Sequence, residues 1–288
     1  MSATKNVVIT SANCVTAGLL IPILKAKGFY TTGLIRKPAT LATDETITNW
    51  MDSEKARMAL VNADYIIHLS GEINAKKKSA YKEANVKTTQ IVADMTKGSN
   101  AKRIIFLSYP NAVIHHNNYY LHYKAEAERL LVNTQKEVII FRCPVIIDSP
   151  DKPSRIDTLF IAKNGKGVPV IGNGNQKMHP VYRGDVVNAI VAALDKGKPG
   201  IHELSGAEEM TINEFIRIVN QNPQVKINHT PALLAKILSR FIPTLSSTFV
   251  DIMLNHTNSI YVPEVYREFG IAPASITSMW NKSRQISR

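Results

Sequence analysis

Short runs rich in Val, Ile, Leu and Tyr alternate with helical patterns over the first two-thirds of the chain, and nothing else constrains its fold as strongly. Val7–Thr10, Thr32–Ile35, Tyr65–Leu69, Arg103–Ser108 and Val138–Arg142 read as buried parallel strands. Between them the spacing predicts helices over Val15–Lys27, Ser53–Leu60, Ser79–Lys97 and Tyr120–Thr134. Strands joined by helical crossovers make a doubly wound parallel sheet of the α/β class. Its loops gather round one crevice at the strands' carboxyl ends, where ligands of such sheets bind.

After Pro150 the pattern loosens. Gly165, Gly167, Gly172 and Gly174 punctuate a loop-rich segment before a helix over Gly184–Leu194, and Ile201–Leu204 reads as a last sheet strand. Thr211 caps a helix over Asn213–Asn220, with Glu214 as its box partner. Beyond Pro223 come amphipathic helices and little strand. The expected division is a nucleotide-binding core over 1–150 and a small, mostly helical substrate-side lobe over 151–288, interleaved with the last sheet strands. With 288 residues the chain is long enough for both.

Net charge is +12, compatible with nucleic acid, an acidic membrane surface or a phosphorylated ligand. The lysines are scattered, however, and aromatic residues do not interleave with basic ones, so nucleic acid is not an expected partner. The tightest run, Lys76-Lys77-Lys78 with Lys82, starts a helix where solvation accounts for it. No transmembrane segment is expected, because the best apolar stretch, Ala232 to Leu254, is broken by Lys236, Arg240 and Pro243. Within it, Leu233 to Ile242 sets two basic residues beside an apolar face. A lid packed on the core is its ordinary reading, and peripheral contact with lipid or a hydrophobic partner the alternative. The chain enters its first strand without a basic leader, so no signal peptide is expected. Cys14 and Cys143 make neither a disulfide framework nor a metal site, which suits a reducing cytoplasm.

Three features carry chemistry. Tyr120 and Lys124 stand four apart, one turn along a helix face, where an ammonium should draw the phenol's pKa down and suit it to acid–base work. The first strand is followed by Thr10-Ser11-Ala12-Asn13-Cys14-Val15-Thr16-Ala17-Gly18, where a dinucleotide fold places its glycine-rich turn, but Ser11, Cys14 and Ala17 fill the three glycine places. Small residues keep the turn compact; Cys14 sets a side chain where phosphate should touch backbone, either as a small filler or as a redox centre. Arg36 and Lys37 follow the second strand, where basic residues favour the 2′-phosphate of NADP over NAD. His115 and His116 lack a third ligand, so no metal is expected.

Further stretches stand in a telling order: Ile35-Arg36-Lys37-Pro38; Ala63 to Gly71; Asn85-Val86-Lys87-Thr88-Thr89; Lys102 to Ser108; Tyr120 to Lys124; Arg142-Cys143-Pro144-Val145; Gly172 to Asn175; His179-Pro180-Val181; and Gly184 to Val187. Together they resemble the extended and atypical short-chain dehydrogenase/reductase superfamily, NAD-dependent epimerase/dehydratase-like proteins. Complex I accessory subunits and nucleoside-diphosphate-sugar epimerases are the groups most alike. The resemblance covers residues 5 to 220, with a weaker echo to about 275. It implies a Rossmann core with an NADP or NAD cofactor along Thr10, Ser11, Asn13, Cys14 and Val15, then Arg36 and Lys37, then Leu69, Ser70 and Gly71. Pro144 and Val145 would meet the nicotinamide. Hydride would then pass between the cofactor and a small-molecule alcohol or carbonyl. Lys124 would orient the nicotinamide ribose and lower the pKa of Tyr120, Tyr120 would exchange a proton with the substrate oxygen, and Ser108 would help orient the substrate. Lys177 stands where sugar-nucleotide relatives carry a pyrophosphate-binding arginine, and many relatives form a homodimer through the tyrosine helix. Two departures weigh against catalysis: the missing glycines, and Pro110 where the family's serine or threonine falls. A catalytically inactive regulator or assembly subunit on this scaffold is the rival reading.

Overall fold

The computed structural model describes residues 4–163, 165–242, 245–255 and 259–286. The chain runs through β1 (Asn6–Thr10), α1 (Val15–Ala26), β2 (Tyr30–Leu34), β3 (Glu45–Ile47), α2 (Glu54–Val61) and β4 (Tyr65–His68). Then come α3 (Lys78–Lys82), a π-helical turn (Glu83–Lys87), α4 (Thr88–Thr96), β5 (Arg103–Ser108), α5 (Tyr119–Val132), β6 (Glu137–Arg142) and β7 (Ile146–Ile147). The remainder comprises β8 (Val168–Ile171), β9 (Lys177–Met178), β10 (Val181–Tyr182), α6 (Arg183–Ala192), β11 (Gly200–Glu203), β12 (Met210–Thr211), α7 (Ile212–Val219) and β13 (Ile227–Thr230). Four helices close it: α8 (Ala232–Leu238), α9 (Ser247–Leu254), α10 (Pro263–Phe269) and α11 (Ile276–Ile286).

Seven strands form one parallel sheet in the order β11-β6-β5-β4-β1-β2-β3, so the Rossmann topology expected from the alternation is the one observed. Its strands are buried on both faces, which is why they read as unbroken apolar runs rather than alternating ones. Leu20, Leu24, Val186, Ile190 and Phe269 cover one face from α1, α6 and α10. Leu60, Val92, Ala127 and Leu131 cover the other from α2, α4 and α5. A separate cluster with Val168, Phe215, Ile216 and Trp280 at its centre belongs to the later segments. The seventh sheet strand, β11, lies beyond residue 150, so the sheet draws on both halves of the chain.

Three local differences from expectation have physical causes. Strand β3 is three residues long and pairs on one side only, too little for a periodicity to register; Asp44 anchors it by accepting from the backbone N–H and hydroxyl of Thr31. The helix expected over Ser79–Lys97 contains the π turn at Glu83–Lys87, where the Thr88 and Thr89 hydroxyls turn back onto the carbonyls of Ala84 and Asn85. The stretch Leu233 to Ile242 does not lay its apolar face on the core: Leu233 and Phe241 are 73% and 76% exposed. The capping box of Thr211 and Glu214 forms as expected, at the head of α7.

Candidate functional site

Five loops at the carboxyl ends of β1, β2, β4, β5 and β6 line two cavities that share Gly71. The first, of about 420 Å³, is bordered by Ser11, Asn13, Arg36, Lys37, Trp50 and Ser70. The second, of about 340 Å³, holds Tyr120, Lys124 and Ser108 on one side and Cys14, Thr16, Pro144, Val145 and Arg183 on another. An apolar wall of Ile156, Phe160, Phe249, Ile252 and Met253 closes the second cavity. The sequence thus placed most of the expected residues on one continuous edge. Two fall elsewhere. Thr10 is fully buried beneath the turn, and Val15, 52% exposed, is not among the residues lining either cavity.

Gly71 has a reason to be glycine. A Cβ there would come within 2.9 Å of Lys124 Nζ and 3.0 Å of Asn85 Oδ1. That amide oxygen is buried without a hydrogen-bond partner, as is the Ser108 hydroxyl. Unpaired buried polar atoms are costly unless something satisfies them. An oxygen of a ligand in the second cavity would do so for Ser108. Ser108, at the end of β5, lines the cavity; Pro110 does not.

Burial, rather than the lysine, decides the state of the phenol. Tyr120 is only 8% exposed, and desolvation raises its pKa instead of lowering it as the four-residue spacing suggested. Lys124 Nζ lies 5.9 Å from the Tyr120 ring centroid and donates instead to the carbonyls of Leu107 (2.9 Å) and Ser70 (3.5 Å). Its own burial pulls its pKa down to about 8, against the raising influence of Glu128. Helix α5, which carries both, is fixed at each end. Asn118 caps it, its Oδ1 accepting from the N–H groups of Tyr120 and Leu121 while its Nδ2 donates to Thr248 O. Arg142 of β6 grips Glu128 through two hydrogen bonds of 2.9 and 2.7 Å.

The turn after β1 shows what stands in place of glycine. Ser11 takes the first glycine's left-handed conformation, at φ 50°, and its hydroxyl meets Ser70 Oγ at 3.0 Å. Below it a one-way chain of hydrogen bonds runs through the sheet. Thr89 donates to Asn85 O, so it accepts from His68 Nε2–H; Nδ1 then accepts from Thr10, which accepts from Ser70. His68 is fully buried and its pKa falls to about 3, chiefly by desolvation, which keeps this neutral tautomer. Cys14 caps α1, its Sγ accepting from Ala17 N at 3.4 Å, and burial raises its thiol pKa. A raised pKa is unfavourable for a reactive thiolate and matches the filler reading.

Sequence reading missed Arg183, which is buried, pairs with Asp148 at 2.7 Å and donates to Thr16 Oγ1 at 2.8 Å. It also missed Trp50 and the apolar wall from α9. Lys177, by contrast, is exposed, pairs with Glu209 and is not among the residues lining the second cavity. His122, held by Glu126 at 3.0 Å, stacks on His115 beside the entrance to α5.

The profile of the NAD dependent epimerase/dehydratase family matches residues 18–204, which hold Arg36, Lys37, Ser70, Gly71, Ser108, Tyr120 and Lys124 of the two cavities. The chain belongs to this family. It is 30% identical over 172 residues to the mitochondrial NADH dehydrogenase [ubiquinone] 1 alpha subcomplex subunit 9 of Arabidopsis thaliana, a match covering 58% of this chain and 42% of that protein. The chain therefore spans less than half of that relative. Among solved structures, MoeE5 in complex with UDP-glucuronic acid and NAD superimposes with a TM-score of 0.73 at 16% identity, over 97% of this chain and 99% of that one. UDP-glucuronic acid 4-epimerase of Bacillus cereus, in complex with NAD, gives 0.70 at 15% identity, over 98% and 100%. Likeness at such identity speaks for the shared fold.

Proposed function

We propose that this family member is a nicotinamide-dinucleotide-dependent oxidoreductase acting on an alcohol or carbonyl, with NADP preferred. One observation carries the reading: the Tyr120 phenol, the Lys124 ammonium and the unpartnered Ser108 hydroxyl border one cavity that joins a basic one at Gly71. The cofactor, when bound, supplies or accepts the hydride. Arg36 and Lys37 would receive a 2′-phosphate, Ser11 and Ser70 would face the diphosphate, and Pro144 and Val145 would flank the reactive ring. Tyr120 holds its proton at neutral pH and is set to donate it to a carbonyl oxygen, with Ser108 donating a second hydrogen bond to that oxygen. Lys124 keeps a positive charge below about pH 8 next to the phenol, which eases passage through phenolate. The wall of Ile156, Phe160, Phe249 and Ile252 suits a substrate whose body is apolar better than a sugar nucleotide. A reducing compartment suits the two free thiols.

Cys14 supports a second reading, because its sulfur occupies an N–H group at the head of α1 that a diphosphate would use. On that reading the fold is a scaffold or assembly subunit without turnover. A panel of apolar aldehydes and ketones incubated with NADPH separates the two. Turnover that Tyr120→Phe reduces by about 10² or more, with NADPH affinity retained, supports the enzyme. Turnover unchanged in Tyr120→Phe removes the phenol from the mechanism, and NADPH binding without turnover in the wild type supports the scaffold.

A further inference from the structure

Six large apolar side chains stand exposed along α8 and the turn that follows it: Leu233, Leu234, Ile237, Leu238, Phe241 and Ile242. At about 100° per residue they cover roughly half the circumference, while Ala235 and Ser239 are the buried positions on the opposite side. The segment is a convex ridge, with its apolar arc turned to solvent.

The charged residues within this segment, Lys236 and Arg240, are both basic. No Asp or Glu occurs between Glu214 and Asp251, and Asp251 is already paired with Lys236 at 2.7 Å. The exposed guanidinium of Arg240 sits on the flank of the arc. Lys76 donates to the carbonyls of Ser239 (2.7 Å), Ile242 and Leu245, satisfying the end of the helical segment. That contact pins the exposed run Lys76-Lys77-Lys78 beside the ridge.

We infer that this face docks on an anionic lipid bilayer, the apolar arc entering the boundary between headgroups and acyl chains while Lys77, Lys78 and Arg240 meet lipid phosphates. Lysine is depleted at protein–protein interfaces, whereas here lysines border the apolar surface. A bilayer also needs no matching groove to receive a convex ridge. The inference rests on exposure and charge, and stands independently of the activity proposed above. Its consequence for the site is positional. Helix α9 packs against α8 and supplies Phe249, Ile252 and Met253 to the cavity wall, so docking sets the apolar end of the cavity close to lipid.

Co-sedimentation of the full chain with vesicles tests this, using phosphatidylcholine alone and phosphatidylcholine mixed with phosphatidylglycerol. Binding to the mixed vesicles is expected, weakening as salt is raised. It should fall at least about 10-fold in Leu233→Ser/Phe241→Ser and in Lys77→Glu/Lys78→Glu/Arg240→Glu, each with an unchanged melting temperature because the altered side chains are exposed. No binding to anionic vesicles, or binding that either variant leaves intact, would overturn it. So would light scattering that finds a dimer which Leu233→Ser/Phe241→Ser splits into monomers, since the occupant would then be a second copy.

Discussion

Tyr120 and Lys124 reach one cavity from successive turns of α5. Tyr109, Tyr81 and Ile252 pack around the phenol, and that burial pushes its pKa upward. Lys124 bears the converse strain, with a folded pKa of about 8 against an ordinary value of 10.5. Between those two values the unfolded chain binds more protons than the folded one, so stability rises with pH across that window. Urea unfolding of wild type and Lys124→Met should therefore diverge in the wild type's favour by about 3 kcal/mol from pH 8 to 10.5. A difference that stays flat across the window would contradict the assigned pKa.

Among elements, the loop after β2 and the turn after β1 are the two that would select the dinucleotide under the proposed function. Gly33 in β2 shows how tightly they meet, since a Cβ there would lie 2.9 Å from Ala12 Cβ. Strand and turn positions were readable because apolar runs and small residues recur at fixed places. The π turn and β3 were not, because each depends on hydrogen bonds that no local pattern encodes. Arg36 and Lys37 are exposed and border the first cavity, so changing their charge tests the proposed 2′-phosphate contact with little effect on folding. Arg36→Glu/Lys37→Glu should weaken NADPH about 10- to 100-fold in a fluorescence titration and leave NADH within a few-fold, the range expected for charge-assisted hydrogen bonds. Equal losses for both cofactors would move the 2′-phosphate contact elsewhere.

For the molecule as a whole, Arg183 joins parts that sequence keeps far apart: the segment after β7 through Asp148, and the head of α1 through Thr16. No spacing rule could predict a pair separated by 35 residues, although Gly184-Asp185-Val186-Val187 marked the helix that carries it. Arg183 and Asp148 are both buried, so removing one partner strands a charge. Asp148→Ala should cost about 3–5 kcal/mol in urea unfolding, and Asp148→Leu/Arg183→Met should recover most of it. A loss under about 1 kcal/mol would mean that water already shares the pair.

Six of the sheet's seven strands, its two flanking layers and the crevice follow from periodicity, and the family match agrees with them. Whether the crevice with serine and cysteine in its turn takes a dinucleotide is the claim on which the proposed chemistry depends. Melting curves of the wild-type chain with increasing NADPH and NADH measure it directly, because a ligand held by the folded state alone raises the melting temperature. A rise that grows with NADPH and is smaller with NADH is the expected result; no rise with either would contradict the account.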